Sequence, residues 1–534
     1  MIPPWCRRSW HILRRKLRTL ARGAPQHPEF IQAAHYFSDG WPLNVWQVAR
    51  PAAITDELRA IMADGFNTVI LVVPWRGFQT DQLEPAYDPF HVRQLERVLG
   101  AADKLGLSVI VRVAYSHSIL LHNTPNGVTQ AQRLLLDEDT REAWLHYLRT
   151  VHGICREFRS FRGGFLCWEE FWHAFGKWQL RKKHRRQELA ELTGFLSWLR
   201  EQGVQGLDTI PKAESEQYAH YHRFANARIR EYYELAREAF PDLLMECRVD
   251  KDALYREGAI EWLDNDDYRD IEAGRYTYWA PFMGARNEGE KLSAADAEHL
   301  LRYMLEEVTG AGTHTNHVVD QFNFVDDAPR FVGVHAEIQP QEVAPFLELA
   351  APLLRHFSRG YGVWAYRDYR QNILYNPRFL MGLRGWEVAR GRCRVRRRGG
   401  ARLGSDSILR QSLPALVAGL QRAVSFTELI LRVDCPTAAN AKGLRARINA
   451  GSWHSLASVE SDVLEVAIPV DFGVAIDEGV ILELYNEGAP LTLDTVCLYH
   501  YVFRARIRQE DGRPGPYHSA TVAFNERLRN SAMR

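Results

Sequence analysis

Residues 163–172 read GGFLCWEEFW. Two glycines precede a short apolar run, Phe165, Leu166, Cys167 and Trp168, of the kind that forms a strand buried on both faces. The run ends on two acids, Glu169 and Glu170, with Phe171 and Trp172 directly behind them. Adjacent carboxylates are costly to desolvate, so a fold puts them at a strand end only where water or a ligand reaches. At the carboxyl end of a parallel barrel strand, such a pair faces the side on which barrel enzymes keep their active sites. The plainer reading of the same residues is a solvated strand end with aromatic packing.

Working outward, a beat of strand then helix surrounds this stretch. Upstream, residues 43–47 predict a short first strand, and Ile54, Leu58, Ile61 and Met62 a helix stopped by Gly65. Residues 66–75, FNTVILVVPW, form the near-continuous apolar run of a central parallel strand. Asp88 and Pro89 open the next helix as cap and first-turn residue, and Gly106 ends it. Residues 107–115, LSVIVRVAY, predict the third strand, and a helical region over 137–159 leads into the fourth. Downstream, helices over 187–203 and 213–240 precede a fifth strand, 243–250, which carries Glu246, Arg248 and Asp250 at period two. A sixth strand is expected at 276–282, and Ser293 with Asp296 makes a capping box for a helix through Val308. A seventh strand over 313–324 brings up Asp320, a helix spans 340–357, and an eighth strand spans 360–369.

Eight strands separated by helices predict an α/β chain whose residues 36–370 form a (β/α)8 TIM barrel. A doubly wound open sheet competes, but it usually carries a Gly-rich phosphate turn, and neither GxGxxG nor GxxxxGK[ST] occurs. Over residues 371–508 the helical period gives way to short alternating strands, the pattern of an all-β jelly-roll sandwich. The arginines within 390–398 read as a solvated strand face. Residues 1–35 are a basic extension with Trp10, Leu13, Leu17 and Leu20 in a helical stripe. It suits a short helix docked on the fold, or weak association with an anionic membrane surface. Residues 509–534 read as a polar, loosely held tail.

Composition narrows the function classes. Of 534 residues 46% are hydrophobic and 25% charged, as in an ordinary globular protein. A net charge of +1 argues against nucleic acid as a partner. The 7 cysteines are odd in number and scattered without CxxC pairs, which fits reduced thiols in a cytoplasmic protein. No secretory leader and no apolar span long enough for a membrane is recognised. His117, His314 and His317 invite a metal reading, yet His-x-x-His on a strand puts its two rings on opposite faces, so no metal or other cofactor is expected.

The barrel resembles the clan A retaining glycoside hydrolases. In that clan an acid/base Glu ends the fourth strand in an apolar-Trp-Asn-Glu context. Cys167-Trp168-Glu169-Glu170 fits that frame with Glu169 where Asn usually stands. The resemblance therefore implies Glu170 as acid/base, with Glu169 the alternative. The clan's nucleophile is a Glu ending the seventh strand; Val319-Asp320-Gln321-Phe322 occupies that place, so Asp320 would serve, with Glu246 the alternative. Gly362-Val363-Trp364 is similar to the clan's sugar-platform segment. Residues 373–503 resemble galactose-binding-like carbohydrate-binding modules through Asn376-Pro377-Arg378-Phe379, Gly382-Leu383-Arg384-Gly385-Trp386 and Leu493-Asp494-Thr495-Val496-Cys497-Leu498.

Glycoside cleavage needs one protonated carboxyl to assist the leaving oxygen and a second to meet the oxocarbenium-like carbon. Arg112 and Arg248 would orient these acids or meet an anionic sugar, or else form structural ion pairs. Trp75, Tyr115, His117, Trp168, Trp279, Gln321 and Trp364 are expected to line sugar subsites, although each aromatic equally suits packing. The expectation is a retaining glycosidase acting on an oligo- or polysaccharide of exopolysaccharide or cell-surface glycan metabolism. Its rivals are a transglycosylase on the same scaffold and a catalytically silent carbohydrate-binding protein.

Overall fold

The computed structural model describes residues 29–38, 45–79, 87–114, 134, 137–166, 183–246, 251–256, 259–264, 274–283, 285–287, 289–309, 317–324, 333, 335–370, 372–397, 399–413, 428–436, 443–460, 462–471, 479–499 and 502–530. Eight parallel strands close into a barrel in chain order: β1 (Ile31–His35), β2 (Thr68–Pro74), β3 (Ser108–Ala114), β4 (Phe161–Leu166), β5 (Leu243–Glu246), β6 (Gly274–Trp279), β7 (Val318–Phe322) and β8 (Gly360–Val363). All seven residues of β2 are buried, as its apolar run requires of a strand covered on both sides. Ala33, Ile70, Ile110, Phe165, Tyr276 and Val318 pack as a separate cluster that fills the lumen. The seam closes where Gly360 lies opposite Ile31. There φ is +153°, and a Cβ would stand 2.3 Å from the Ile31 carbonyl oxygen, so only glycine fits.

The helices start and stop as local chemistry dictates. In α1 (Ile54–Ala63), Asp56 and Glu57 occupy the first turn, where the helix dipole favours acids, and Ile54, Leu58 and Ile61 are buried. In α2 (Pro89–Leu105), the Asp88 carboxylate accepts from the Phe90 N–H at 2.8 Å, and Gly106 ends the helix with φ of +75°. Asp137 caps α3 (Glu138–Cys155) in the same way. The long α4 (Tyr218–Ala239) precedes β5. At α5 (Ala294–Thr309) the Ser293–Asp296 box forms reciprocally, Asp296 N–H to Ser293 Oγ at 3.2 Å and Ser293 N–H to Asp296 Oδ2 at 3.3 Å. A short 3-10 turn leads into α6 (Val343–Phe357). None of the described helices is long and apolar enough to cross a membrane.

Three expectations are corrected. The first barrel strand is not 43–47. The described part of that stretch begins a short helix, Val45–Val48, and the strand is Ile31–His35 within the expected extension, so the barrel starts before residue 36. Of the expected eighth strand, only Gly360–Val363 belongs to the barrel; Tyr369–Arg370 instead pairs antiparallel with Val502–Phe503. The chain thus leaves the barrel, builds a sandwich and returns beside its own exit.

The third correction concerns the expected polar tail. Residues His518–Asn530 form α7, whose Thr521, Phe524, Asn525 and Leu528 are buried. The Phe524 ring packs on Phe322 and Tyr361, with centroids 6.1 and 5.0 Å away. The Asn525 side chain accepts from Gln32 Nε2 at 2.9 Å and from the Tyr361 hydroxyl, and donates to the Asp64 carbonyl at 2.9 Å. Helix α7 therefore covers the β8–β1 seam, the place of a barrel's eighth helix, and the sandwich is inserted between β8 and that helix. Arg508 ties the returning chain down through two 2.6 Å bonds to Asp64, which also accepts from Tyr366 and His518. Burial opposes ionisation of Asp64, yet the bonds from Arg508, Tyr366 and His518 outweigh it and hold the carboxyl below its ordinary range.

The inserted region is a β-sandwich of antiparallel sheets. Five strands run Glu387–Arg390, Ser407–Leu413, Val480–Asn486, Leu444–Ile448, His454–Ser455; four more run Ala457–Glu460, Val463–Pro469, Glu428–Asp434, Thr495–Tyr499. Leu409, Leu431, Val433, Leu482, Leu484 and Leu498 are among the residues of its own core. Asn376 Nδ2 donates to the carbonyls of Gly382 and Arg384, Trp386 Nε1 donates to the Asn376 carbonyl, and Val496 N–H to that of Pro377. The phrases that carry the resemblance to carbohydrate-binding modules thus knot the sandwich together, which is a structural role.

Candidate active site

The carboxyl ends of the barrel strands bring five sequence-distant side chains into contact. On β3, Ile110 faces the lumen, so Arg112, two residues on, shares that face. Pairing between β5 and β6 shifts register between Met245 and Glu246, and β7 shifts against both neighbours after Val319. Each bulge re-aims a side chain. Glu246 ends fully buried, with Arg112 Nη2 3.2 Å from its Oε2 and Gln321 Nε2 3.2 Å from its Oε1. One donor on each oxygen fixes the plane of the carboxylate. The guanidinium carbon of Arg112, itself fully buried, lies 5.8 Å from the Phe165 ring centroid and 5.9 Å from that of the half-buried Trp364.

Asp320, also fully buried, precedes Gln321 at the bulge of β7. Burial pushes the Tyr276 phenol up, and the Asp320 charge adds to that shift against Arg162 and Arg359. Tyr276 stacks on Phe165 at 4.2 Å. The backbone carbonyl of Asp320 lies 2.7 Å from His35 Nε2, and the His35 ring meets Trp364 edge-on at 4.9 Å. Burial first, and then the Arg112 charge, lower the His35 pKa from 6.5 to about 3. The ring is therefore neutral, and because a carbonyl only accepts, its proton sits on Nε2.

Of the expected site residues, the structure brings together Arg112, Glu246, Asp320, Gln321 and Trp364. Trp75 and Trp279, expected to line sugar subsites, are instead fully buried outside the lumen. Trp279 stacks between Phe322 and Phe346 at 5.4 and 5.2 Å, and Trp75 Nε1 donates to Gln79 at 2.8 Å. Tyr115, His117, Trp168, Glu169, Glu170 and Arg248 lie outside the described residues. His35 was not expected. Its strand is legible as the run IQAAHYF at 31–37, which places a histidine at the carboxyl end of a barrel strand.

The depressed pKa of His35 has a measurable consequence. Between about pH 6.5 and pH 3 the unfolded chain binds a proton at this ring and the native chain does not, so stability falls as the pH is lowered through that window. The slope reaches about 1.4 kcal/mol per pH unit. His35→Gln keeps a donor near the Nε2 position without the titration. The stability difference between the native protein and this variant, from urea unfolding, is expected to be larger at about pH 7 than at about pH 4 by up to about 3 kcal/mol. Equal differences at the two pH values would contradict the assignment.

No known family profile matches the sequence, and no curated protein is significantly similar to it. Solved structures resemble it at low identity. The exo-β-1,4-mannosidase Op5Man5 from Opitutaceae bacterium strain TAV5 is 18% identical over 66% of this chain and 54% of its own, with a TM-score of 0.41. The chain thus spans about half the length of that protein. A GH5_18 protein from Streptomyces cattleya, in complex with Manb1-4GlcNAc, is 17% identical over 64% of this chain and 72% of its own, with a TM-score of 0.43. A β-glucosidase, 1317, is 13% identical over 63% of this chain and 88% of its own, with a TM-score of 0.37.

Proposed function

We propose that this chain is a retaining glycosidase acting on an oligo- or polysaccharide, with the inserted sandwich as a sugar-binding appendage. The observation that carries the reading is Glu246: a fully buried carboxylate at the carboxyl end of a barrel strand, ion-paired to Arg112 and held by Gln321 of β7. Barrel enzymes keep their chemistry at that end, and burying an ion pair is a poor route to stability alone. In the proposed mechanism Glu170, or Glu169 beside it, protonates the leaving oxygen and later activates water. Glu246 attacks the anomeric carbon to form the glycosyl-enzyme. Glu246 is preferred to Asp320 because Arg112 and Gln321 orient its carboxylate and the same Arg112 lies 5.9 Å from the Trp364 ring, whereas Asp320 is a methylene shorter and its charge bears on Tyr276. Trp364 supplies the flat face for the sugar ring.

Glu170→Gln and Glu169→Gln, made separately and assayed on an aryl glycoside panel, test the reading. The acid/base variant is expected to lose about 10²–10⁴-fold in turnover. Trapping with a fluorosugar followed by peptide mapping should label Glu246. If the unmodified protein turns over no glycoside and no carboxylate is labelled, the chain is a carbohydrate-binding protein instead.

A further inference from the structure

The arginines within 390–398 do more than cover a strand. A cavity of about 590 Å³ lies between barrel and sandwich, walled by Arg93 and Arg97 of α2 and by Arg396 and Arg397 of the sandwich. Pro51, Phe90, Leu380 and Val395 lie between them, and no carboxylate lines it among the described residues. Arg396 is paired with Asp494 at 2.8 Å, and Arg97 donates to the neutral amide of Gln94 at 2.8 Å. Arg93 and Arg397 have no acidic partner among the described residues. The junction is itself held in place: Arg384 of the sandwich reaches the buried Asp88 that caps α2, and Arg50 lies 3.9 Å from Asp434.

Arg396 is paired to Asp494, so Arg93, Arg97 and Arg397 leave three positive charges around one hollow that no described carboxylate compensates, and an anion held there is attracted by all three. The volume is that of a small-molecule site, too large for a lone oxyanion, and its apolar patches suit the C–H faces of sugar rings. Helices α1 and α2 follow β1 and β2 in the βα repeat, and in such a barrel the start of each helix, here at Pro51 and Phe90, lies toward the carboxyl ends of the strands. An extended glycan bound there would run from the barrel mouth across the junction.

We infer that the barrel–sandwich junction binds an acidic oligosaccharide, its carboxylates on Arg93, Arg97 and Arg397 and its rings against Pro51, Phe90 and Leu380. That the ligand is a saccharide rests on the glycosidase reading; that it is anionic rests on the cavity alone. The test is titration calorimetry of the full chain with a galacturonic acid hexamer, its methyl ester, and sodium sulfate at matched ionic strength. The acid hexamer should bind, and the ester about ten-fold or more weaker. Arg93→Glu with Arg397→Glu should weaken the acid hexamer about ten-fold or more at an unchanged melting temperature. Arg402→Glu, an exposed sandwich position off the cavity, should change it less than about two-fold. If the charge reversal misfolds, the paired Arg→Gln variants carry the same expectation. The inference is overturned if the ester binds as well as the acid, if the Arg93 and Arg397 variants bind normally, or if sulfate alone competes as well as the hexamer. Aryl glycoside turnover by the unmodified protein is read separately. An inert protein that binds the hexamer removes the glycosidase reading and leaves this one, and an active enzyme indifferent to the hexamer does the reverse.

Discussion

Deleting residues 509–534 is expected to abolish cooperative folding of the barrel, although the deleted segment reads as a polar tail. Without α7 the outer faces of β8 and β1 lose Phe524 and Leu528, and the Gln32 amide, the Tyr361 hydroxyl and the Asp64 carbonyl lose Asn525 together. A single buried Phe→Ala change costs about 3–5 kcal/mol, and each buried polar group left without a partner about 1–3 kcal/mol more. That total reaches the about 5–15 kcal/mol by which a typical domain is stable. Phe524→Ala alone should lower stability by about 3–5 kcal/mol in urea unfolding, and Asn525→Ala by about 2–4 kcal/mol. A truncated chain melting within a few degrees of the full chain would show that α7 is an ornament on a barrel closed without it.

The contrast between what was legible and what was not has physical causes. Strands β2 and β3 are covered on both faces, so their apolar runs carry the signal, and Asp88-Pro89 and Ser293 with Asp296 mark helix starts by side-chain chemistry that acts locally. Helix α7 was missed because half of its buried face, Thr521 and Asn525, is polar, and a polar residue satisfied by distant partners looks like surface. Strand β1 was missed because it is only five residues long and its buried run is broken by the polar Gln32 and His35. In the site, Arg112 and Glu246 were readable from strand position, but their contact was not. It depends on bulges at Met245–Glu246 and after Val319, and a bulge leaves no trace in an alternating pattern. Trp279 lies three residues beyond the lumen-facing Tyr276 with no extra residue between them in that strand, so alternation itself turns it to the outer face. An aromatic at a strand end takes whichever side its neighbours leave open, and here that side holds Phe322 and Phe346.

Arg112 and Glu246 allow stability and chemistry to be separated. Arg112→Met leaves a carboxylate at zero exposure without its counter-charge, and breaking such a pair from one side costs about 3–5 kcal/mol. Arg112→Met combined with Glu246→Gln removes the stranded charge as well. Gln321 keeps an acceptor in the new side-chain carbonyl. The double variant should therefore be more stable than Arg112→Met alone by about 2 kcal/mol or more, because a well-packed neutral pair often matches a buried ionic one. Turnover should not follow stability. A glutamine cannot form the glycosyl-enzyme, so the double variant should stay at least about 10³-fold below the native protein on an aryl glycoside while refolding better than Arg112→Met. Recovery of both together would make Glu246 a structural acid and return the nucleophile to Asp320. Recovery of neither would mean that the lumen needs the ionic pair to fold at all.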